Sequence, residues 1–148
     1  MIRTDSADPG FISLVDRLNF FLAELNGEQN SYYSKLNVID GIATVVVAYA
    51  AEVAIGCGAF RQIDDKTVEI KRMYVDSAFR GNGVGKQVLT ELETWATELG
   101  ATKAILETSK RLDAAVHLYQ TSGYQVIPNY GPYLGIDDSV CMEKSLKA

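Results

Sequence analysis

Gly81, Gly83 and Gly85 stand between two stretches of different periodicity. Residues 68–75 alternate side-chain character in the manner of a half-buried strand. Residues 84–99 place Val84, Val88, Leu89, Leu92, Trp95, Ala96 and Leu99 on one helical stripe, which Gly100 closes. A glycine loop joining a strand to a helix start leaves backbone N–H groups bare at the positive end of the helix dipole. Such a loop suits a phosphate group.

Two common phosphate loops fail here. A Walker loop ending on Gly85-Lys86 would need glycine in place of Arg80 and Ser or Thr in place of Gln87. A dinucleotide fingerprint starting at Gly81 would need glycine at Lys86. Both failures argue against a nucleotide-binding protein. The pattern R/Q-x-x-G-x-G/A fits at Arg80, Gly83 and Gly85. A second segment, Ala114-Ala115-Val116-His117-Leu118-Tyr119-Gln120-Thr121-Ser122-Gly123-Tyr124, reads as A-x-x-L-Y-x-x-x-G-[FY]. On these two motifs the chain resembles the GNAT superfamily of acetyl-CoA-dependent N-acetyltransferases. The resemblance runs from the first strand to the C-terminus and is strongest over residues 68–123.

The remaining elements follow from local pattern. Residues 2–4 read as a short strand. Asp8 caps a helix with Pro9 in its first turn, and Phe11, Leu14, Val15, Leu18, Phe21, Leu22 and Leu25 recur at helical spacing until Gly27. Residues 28–36 read as a loop into a short second helix. Residues 42–49, 53–61 and 67–75 form an antiparallel meander with turns at 50–52 and 64–66. A strand over 103–108, a helix over 111–122 and strands over 124–127 and 139–145 complete the order. The resemblance implies an α+β fold, a mixed and mostly antiparallel sheet with a splayed strand pair and helices on both faces.

A chain of 148 residues that is 47% hydrophobic suffices for one domain, 1–148, with a real core. Its net charge of −5, with no basic run, argues against nucleic-acid binding and mildly favours cationic amines or basic peptides. Arg3, Asp5, Asp8 and Pro9 interrupt any signal sequence, and the apolar run over 42–51 is too short to span a bilayer. A cytoplasmic protein without membrane partners is expected, and homodimers are common in the family. Cys57 and Cys141 fall in strand-like runs and read as buried thiols. With His117 the sole histidine, no metal site is expected.

Acetyl transfer to an amine needs a proton acceptor, stabilisation of negative charge on the carbonyl oxygen, and a proton for the leaving thiolate. Glu69 matches the family's catalytic glutamate in its offset from Arg80, although a surface glutamate paired with Lys71 is the alternative. Strand alternation puts Glu69, Lys71, Met73 and Val75 on one side. The resemblance gives the backbone of Met73, Tyr74 and Val75 to the acetyl and pantetheine groups. It gives Arg80, Gly81, Asn82, Gly83, Val84, Gly85 and Lys86 to the pyrophosphate. Ser109 stands where many relatives carry a cofactor-contacting asparagine. Tyr119, a phenol with pKa of about 10, is the acid candidate, or packs and orients the sulfur. Tyr32, Tyr33, Tyr130 and Tyr133 are candidates for binding the acceptor, the last two in a loop similar to one bacterial branch of the superfamily. The resemblance implies direct attack on acetyl-CoA by a primary amine in a ternary complex. A non-catalytic acetyl-CoA-sensing module that regulates a partner protein is the alternative.

Overall fold

The computed structural model describes residues 1–26 and 42–146. Helix α1 spans Pro9–Asn26. Asp8 opens it by accepting from the N–H groups of Gly10 (2.9 Å) and Phe11 (3.1 Å) through one carboxylate oxygen. This satisfies donors that a helix start otherwise leaves unbonded. Phe11 and Leu14 then bury against Val45, Val47, Cys57 and Ala59. The side chain of Leu25, Gly27, and the loop and second helix expected over residues 28–36, with Tyr32 and Tyr33, lie outside the described residues.

Strands β1 (Ile2–Thr4), β2 (Val45–Ala50), β3 (Val53–Gln62), β4 (Thr67–Val75), β5 (Lys103–Ser109), β6 (Gln125–Ile127) and β7 (Ser139–Ser145) form a sheet in the order β1-β2-β3-β4-β5-β7-β6. Its pairs are antiparallel except β4 with β5. Helices α2 (Val84–Glu98) and α3 (Asp113–Thr121) carry residues of a second core, opposite α1. There Val88, Leu89, Leu92 and Tyr119 pack with Phe60, Val68, Ile70, Leu106 and Met142. The result is the mixed α+β fold, a mostly antiparallel open sheet with helices on both faces. Trp95 packs against this core, edge-on to Phe60 at 5.8 Å between ring centres. Leu99 does not join the stripe assigned to it. It caps the end of α2 and is 63% exposed, because the helix stops before that face returns to the sheet.

A β-bulge corrects the alternation expected along β4. Cys57 pairs with Tyr74 and Ala59 with Lys71, so Gly58 faces both Arg72 and Met73. Arg72 absorbs the extra residue in the left-handed region, φ +58°. That costs a non-glycine residue on the order of 1–3 kcal/mol. Contacts among the described residues help to hold it: the Cys57 thiol donates to the Arg72 carbonyl (3.4 Å), and the Arg72 guanidinium donates to Asn19 of α1 (2.7 Å). Glu69 and Lys71 therefore lie on the α1 face with their partners Arg61 and Ala59, whereas Met73 and Val75 pack on the α2 face.

Gly58 makes the bulge sterically feasible. A Cβ there would lie 2.4 Å from Met73 Sδ and 2.8 Å from Leu92 Cδ1. Gly58→Ala is expected to lower stability by about 1–3 kcal/mol through overpacking. The measurement is a denaturation midpoint at unchanged slope. A midpoint equal to wild type would show that Met73 yields freely.

Candidate active site

Strands β4 and β5 pair only from Thr67↔Lys103 to Ile70↔Leu106. Beyond that point they separate, and among the described residues the far part of β4 has no strand partner on its β5 side. Two hollows meet at the gap. A cleft of about 510 Å³ lies between the end of β4, the start of α2 and the start of α3. A smaller pocket of about 120 Å³ is lined by Leu18 and Leu22 of α1, by Glu69 and Lys71, and by Glu107, Ser109 and Tyr133. Met73 and Tyr119 line both.

The cleft gathers most of the residues expected to hold the cofactor: Met73, Tyr74, Val75, Arg80, Gly81, Gly83, Val84, Gly85 and Lys86. Gly81 (φ +86°) and Gly83 (φ +78°) take left-handed conformations that a Cβ would strain, and nothing lies within 4 Å of where either Cβ would stand. Gly83 is the N-cap of α2, with no side chain capping it. Donors of the first helical turn thus face open space. Arg80 donates through Nε to the Val75 carbonyl (2.9 Å), and its guanidinium lies 5.5 Å from the ring centre of Tyr74 and 5.9 Å from that of Phe21. This fixes its charge beside the loop. The Asn82 side chain turns back to the Phe79 carbonyl (3.2 Å). Ser109 lines the smaller pocket instead of the cleft, and its hydroxyl accepts from the Arg111 N–H (3.1 Å).

In the smaller pocket Glu69 is only 2% exposed. Arg61 donates to one of its oxygens (2.8 Å) and the Tyr130 hydroxyl to the other (2.7 Å). Lys71 Nζ lies 3.7 Å from Glu69 and 3.5 Å from the Tyr133 hydroxyl. Tyr130 and Tyr133 meet edge to face at 5.6 Å. Asn129 bonds the Tyr133 and Ile136 carbonyls (3.2 and 3.1 Å) and so holds the loop in shape.

Glu107 is the group that sequence reasoning missed. In parallel register Ile105 pairs with Glu69, so Glu107, two residues on, faces the same side as Glu69 and Lys71. Burial raises its carboxyl above the ordinary range, against a hydrogen bond from the Ser139 hydroxyl (2.7 Å) and the charge of Lys71. A lone carboxylate in the run Ala104-Ile105-Leu106-Glu107 was the available signal. Burial lowers the Lys71 ammonium from its ordinary value, with Glu69 opposing. Tyr119 is 6% exposed, and burial, then the charge of Glu107, push its phenol upward. Cys57 and Cys141 are buried free thiols, and burial pushes Cys57 up to about 12.

Residues 12–124 match the family described as Acetyltransferase (GNAT) family. The chain belongs to the GNAT acetyltransferase family. A GNAT chain of this kind is an acetyl-CoA-dependent acyltransferase. It is 27% identical over 146 residues to an IAA acetyltransferase of Azospirillum brasilense, covering 97% of this chain and 95% of that relative. A Klebsiella pneumoniae structure assigned to the acyl-CoA N-acyltransferases superposes with a TM-score of 0.83 at 28% identity, covering 99% and 96% of the two chains. A GNAT acetyltransferase from Elizabethkingia anophelis, solved with acetyl-CoA bound, shares the fold at 20% identity, with a TM-score of 0.69 and 98% and 96% coverage. Among the described residues of this acetyltransferase, no cluster of His, Cys, Asp or Glu could hold a metal ion, and no helix is long and apolar enough to cross a membrane.

Proposed function

We propose that this acetyltransferase passes the acetyl group of acetyl-CoA to a primary amine by direct attack, with both substrates bound together. The meeting of cleft and pocket at the gap between β4 and β5 carries this reading. A sensing module would need only the cleft.

The uncapped start of α2 and the open glycine loop fit a pyrophosphate. The amides of residues 82–86 would bind it, with Arg80 and Lys86 adding charge. The thioester supplies a polarised carbonyl and a thiolate leaving group. Backbone groups of Met73, Tyr74 and Val75 stabilise charge on the carbonyl oxygen. The amine enters from the smaller pocket as an ammonium ion and loses one proton before it attacks. As the C–N bond forms and the C–S bond breaks, Tyr119 gives its proton to the sulfur, and the second proton shed by the nitrogen returns to the resulting phenolate. The buried, high-pKa thiol of Cys57 suits this route better than an acyl-enzyme.

Two carboxylates can take the ammonium proton. Glu69 is engaged at both oxygens and anchors the Tyr130 loop. Glu107, desolvated and beside Tyr119, is the better acceptor. Below its raised pKa Glu107 is protonated and cannot accept, so turnover should rise with pH as it ionises. Glu107→Gln should remove that acidic limb and lower turnover at neutral pH, with the loss shrinking as the amine deprotonates unaided. Glu69→Gln should raise KM for the amine and leave the limb in place. Thiol-release kinetics across pH test both. A limb lost in Glu69→Gln and kept in Glu107→Gln would reverse the roles.

A further inference from the structure

Glu107 sits on β5 between two strands, with β4 on one side and β7 on the other. In the antiparallel register of β5 with β7, Glu107 pairs with Cys141 and Ser109 with Ser139. Ser139 is therefore a diagonal neighbour of Glu107 on the same face of the sheet, within reach of its side chain. Among the described residues the Ser139 hydroxyl supplies the side-chain hydrogen bond that Glu107 accepts, 2.7 Å to Oε2. Ser139 is 3% exposed, so solvent has little access to take the hydroxyl's place. The serine is itself fixed. Its N–H donates to the Ile136 carbonyl (3.1 Å). Beside it the Asp138 carbonyl accepts from the Lys110 N–H (2.7 Å), and the Asp138 carboxylate pairs with Arg111 (2.8 Å). These contacts tie the start of β7 to the junction of β5 and α3.

We propose that Ser139 is the positioning residue of the proton acceptor: its hydroxyl holds Oε2 of Glu107, so that Oε1 is presented to the incoming amine. This rests on the acetyl-transfer reading above, with Glu107 as acceptor. In that step an N–H bond of the ammonium breaks, an O–H bond forms at Oε1, and the electron pair stays on nitrogen for the attack. Several charged or titratable groups face Glu107 among the described residues. Strand β4 gives Glu69, Lys71 and Arg72, α3 gives Tyr119, the β6–β7 connection gives Tyr133, and β7 gives Cys141. Helix α1 presents the apolar Leu18 and Leu22. Burial pushes the Glu107 carboxyl up. The Ser139 bond pulls it down, ahead of the Lys71 charge, and the Glu69 charge pushes it up again. A hydrogen bond to an ionised oxygen is stronger than one to a neutral oxygen. Ser139 thus favours the ionised form, which alone can take the proton.

The first measurement needs no substrate. Titration of the Glu107 carboxyl is followed in the free protein by infrared difference spectra, its band being the one that Glu107→Gln removes. The second is the acidic limb of kcat/KM, read by thiol release from acetyl-CoA. Its acceptor is the fastest primary amine in a panel of amino acids, polyamines and amino sugars. Ser139→Ala should move both the titration and the limb to higher pH by about one pH unit or more, the scale of a hydrogen bond to a charged group. On the limb kcat/KM should fall about tenfold, and the loss should shrink as pH rises. Ser139→Thr keeps the hydroxyl on a side chain that suits a strand, and should return both toward wild type. A serine that only packs would leave the titration and the limb of Ser139→Ala where they stand in wild type. That result would overturn the proposal and leave Glu107 as the acceptor. A limb that survives Glu107→Gln would overturn the acceptor assignment and this proposal with it. Thiol release from no amine at all would overturn acetyl transfer as well.

Discussion

Tyr119→Phe should fold as wild type, bind acetyl-CoA with near-unchanged affinity, and turn over about 10²-fold more slowly or worse. The ring stays in place, edge to face with Tyr124 at 5.9 Å and within the α2–α3 core. Only the proton donor is removed. Burial and the nearby Glu107 charge keep the phenol protonated well above neutrality, so the loss should be similar at every working pH near 7. A hydroxyl that merely orients the sulfur would give a few-fold fall in turnover with a parallel loss of affinity. Thiol-release kinetics and acetyl-CoA titration on the same variant separate the two. Undiminished turnover would remove Tyr119 from the chemistry.

Gly83→Glu should abolish stabilisation by acetyl-CoA. Gly83 sits at φ +78° with open space where a side chain would project. A glutamate there costs about 1–3 kcal/mol of backbone strain and sets a carboxylate at the amides meant for a pyrophosphate. Affinity should fall at least 10²-fold, and the rise in Tm on adding acetyl-CoA should vanish. Gly83→Asn separates the causes, since asparagine tolerates the left-handed region and brings no charge. It should keep most of the shift. Neither NAD nor ATP should stabilise the wild-type protein, and stabilisation by ATP equal to that by acetyl-CoA would defeat the cofactor assignment.

The features legible in the sequence are those written in local pattern. The cap at Asp8, the α2 stripe, the glycine loop and the alternation of the early part of β4 each depend on residues a few positions apart. What the sequence concealed is tertiary in origin. Arg72 is neither glycine nor asparagine, so nothing local announces a left-handed residue. Asn19 and Cys57, 53 and 15 positions away, help to hold it there. The expectation that Met73 shares a face with Glu69 failed for that reason. Glu107 went unnoticed because its neighbour Glu69 is supplied by a strand pairing that the sequence does not display. Leu99 looked like part of the stripe because periodicity continues past the point where a helix leaves its sheet. Residues 32 and 33 fall outside the described structure, so that part of the acceptor assignment stands as the sequence left it.

The bulge at Arg72 makes β4 a strand of two parities. Before it, outward positions belong to the side from which the amine is proposed to come. After it, the same alternation serves the side proposed to hold the acyl donor. On this reading a mutation at Glu69 or Lys71 should retune acceptor choice without disturbing the donor wall, and a change at Val75 should do the converse, while Met73 borders both hollows. Selection can act on the two substrates of one reaction almost independently, along seven consecutive residues of one chain.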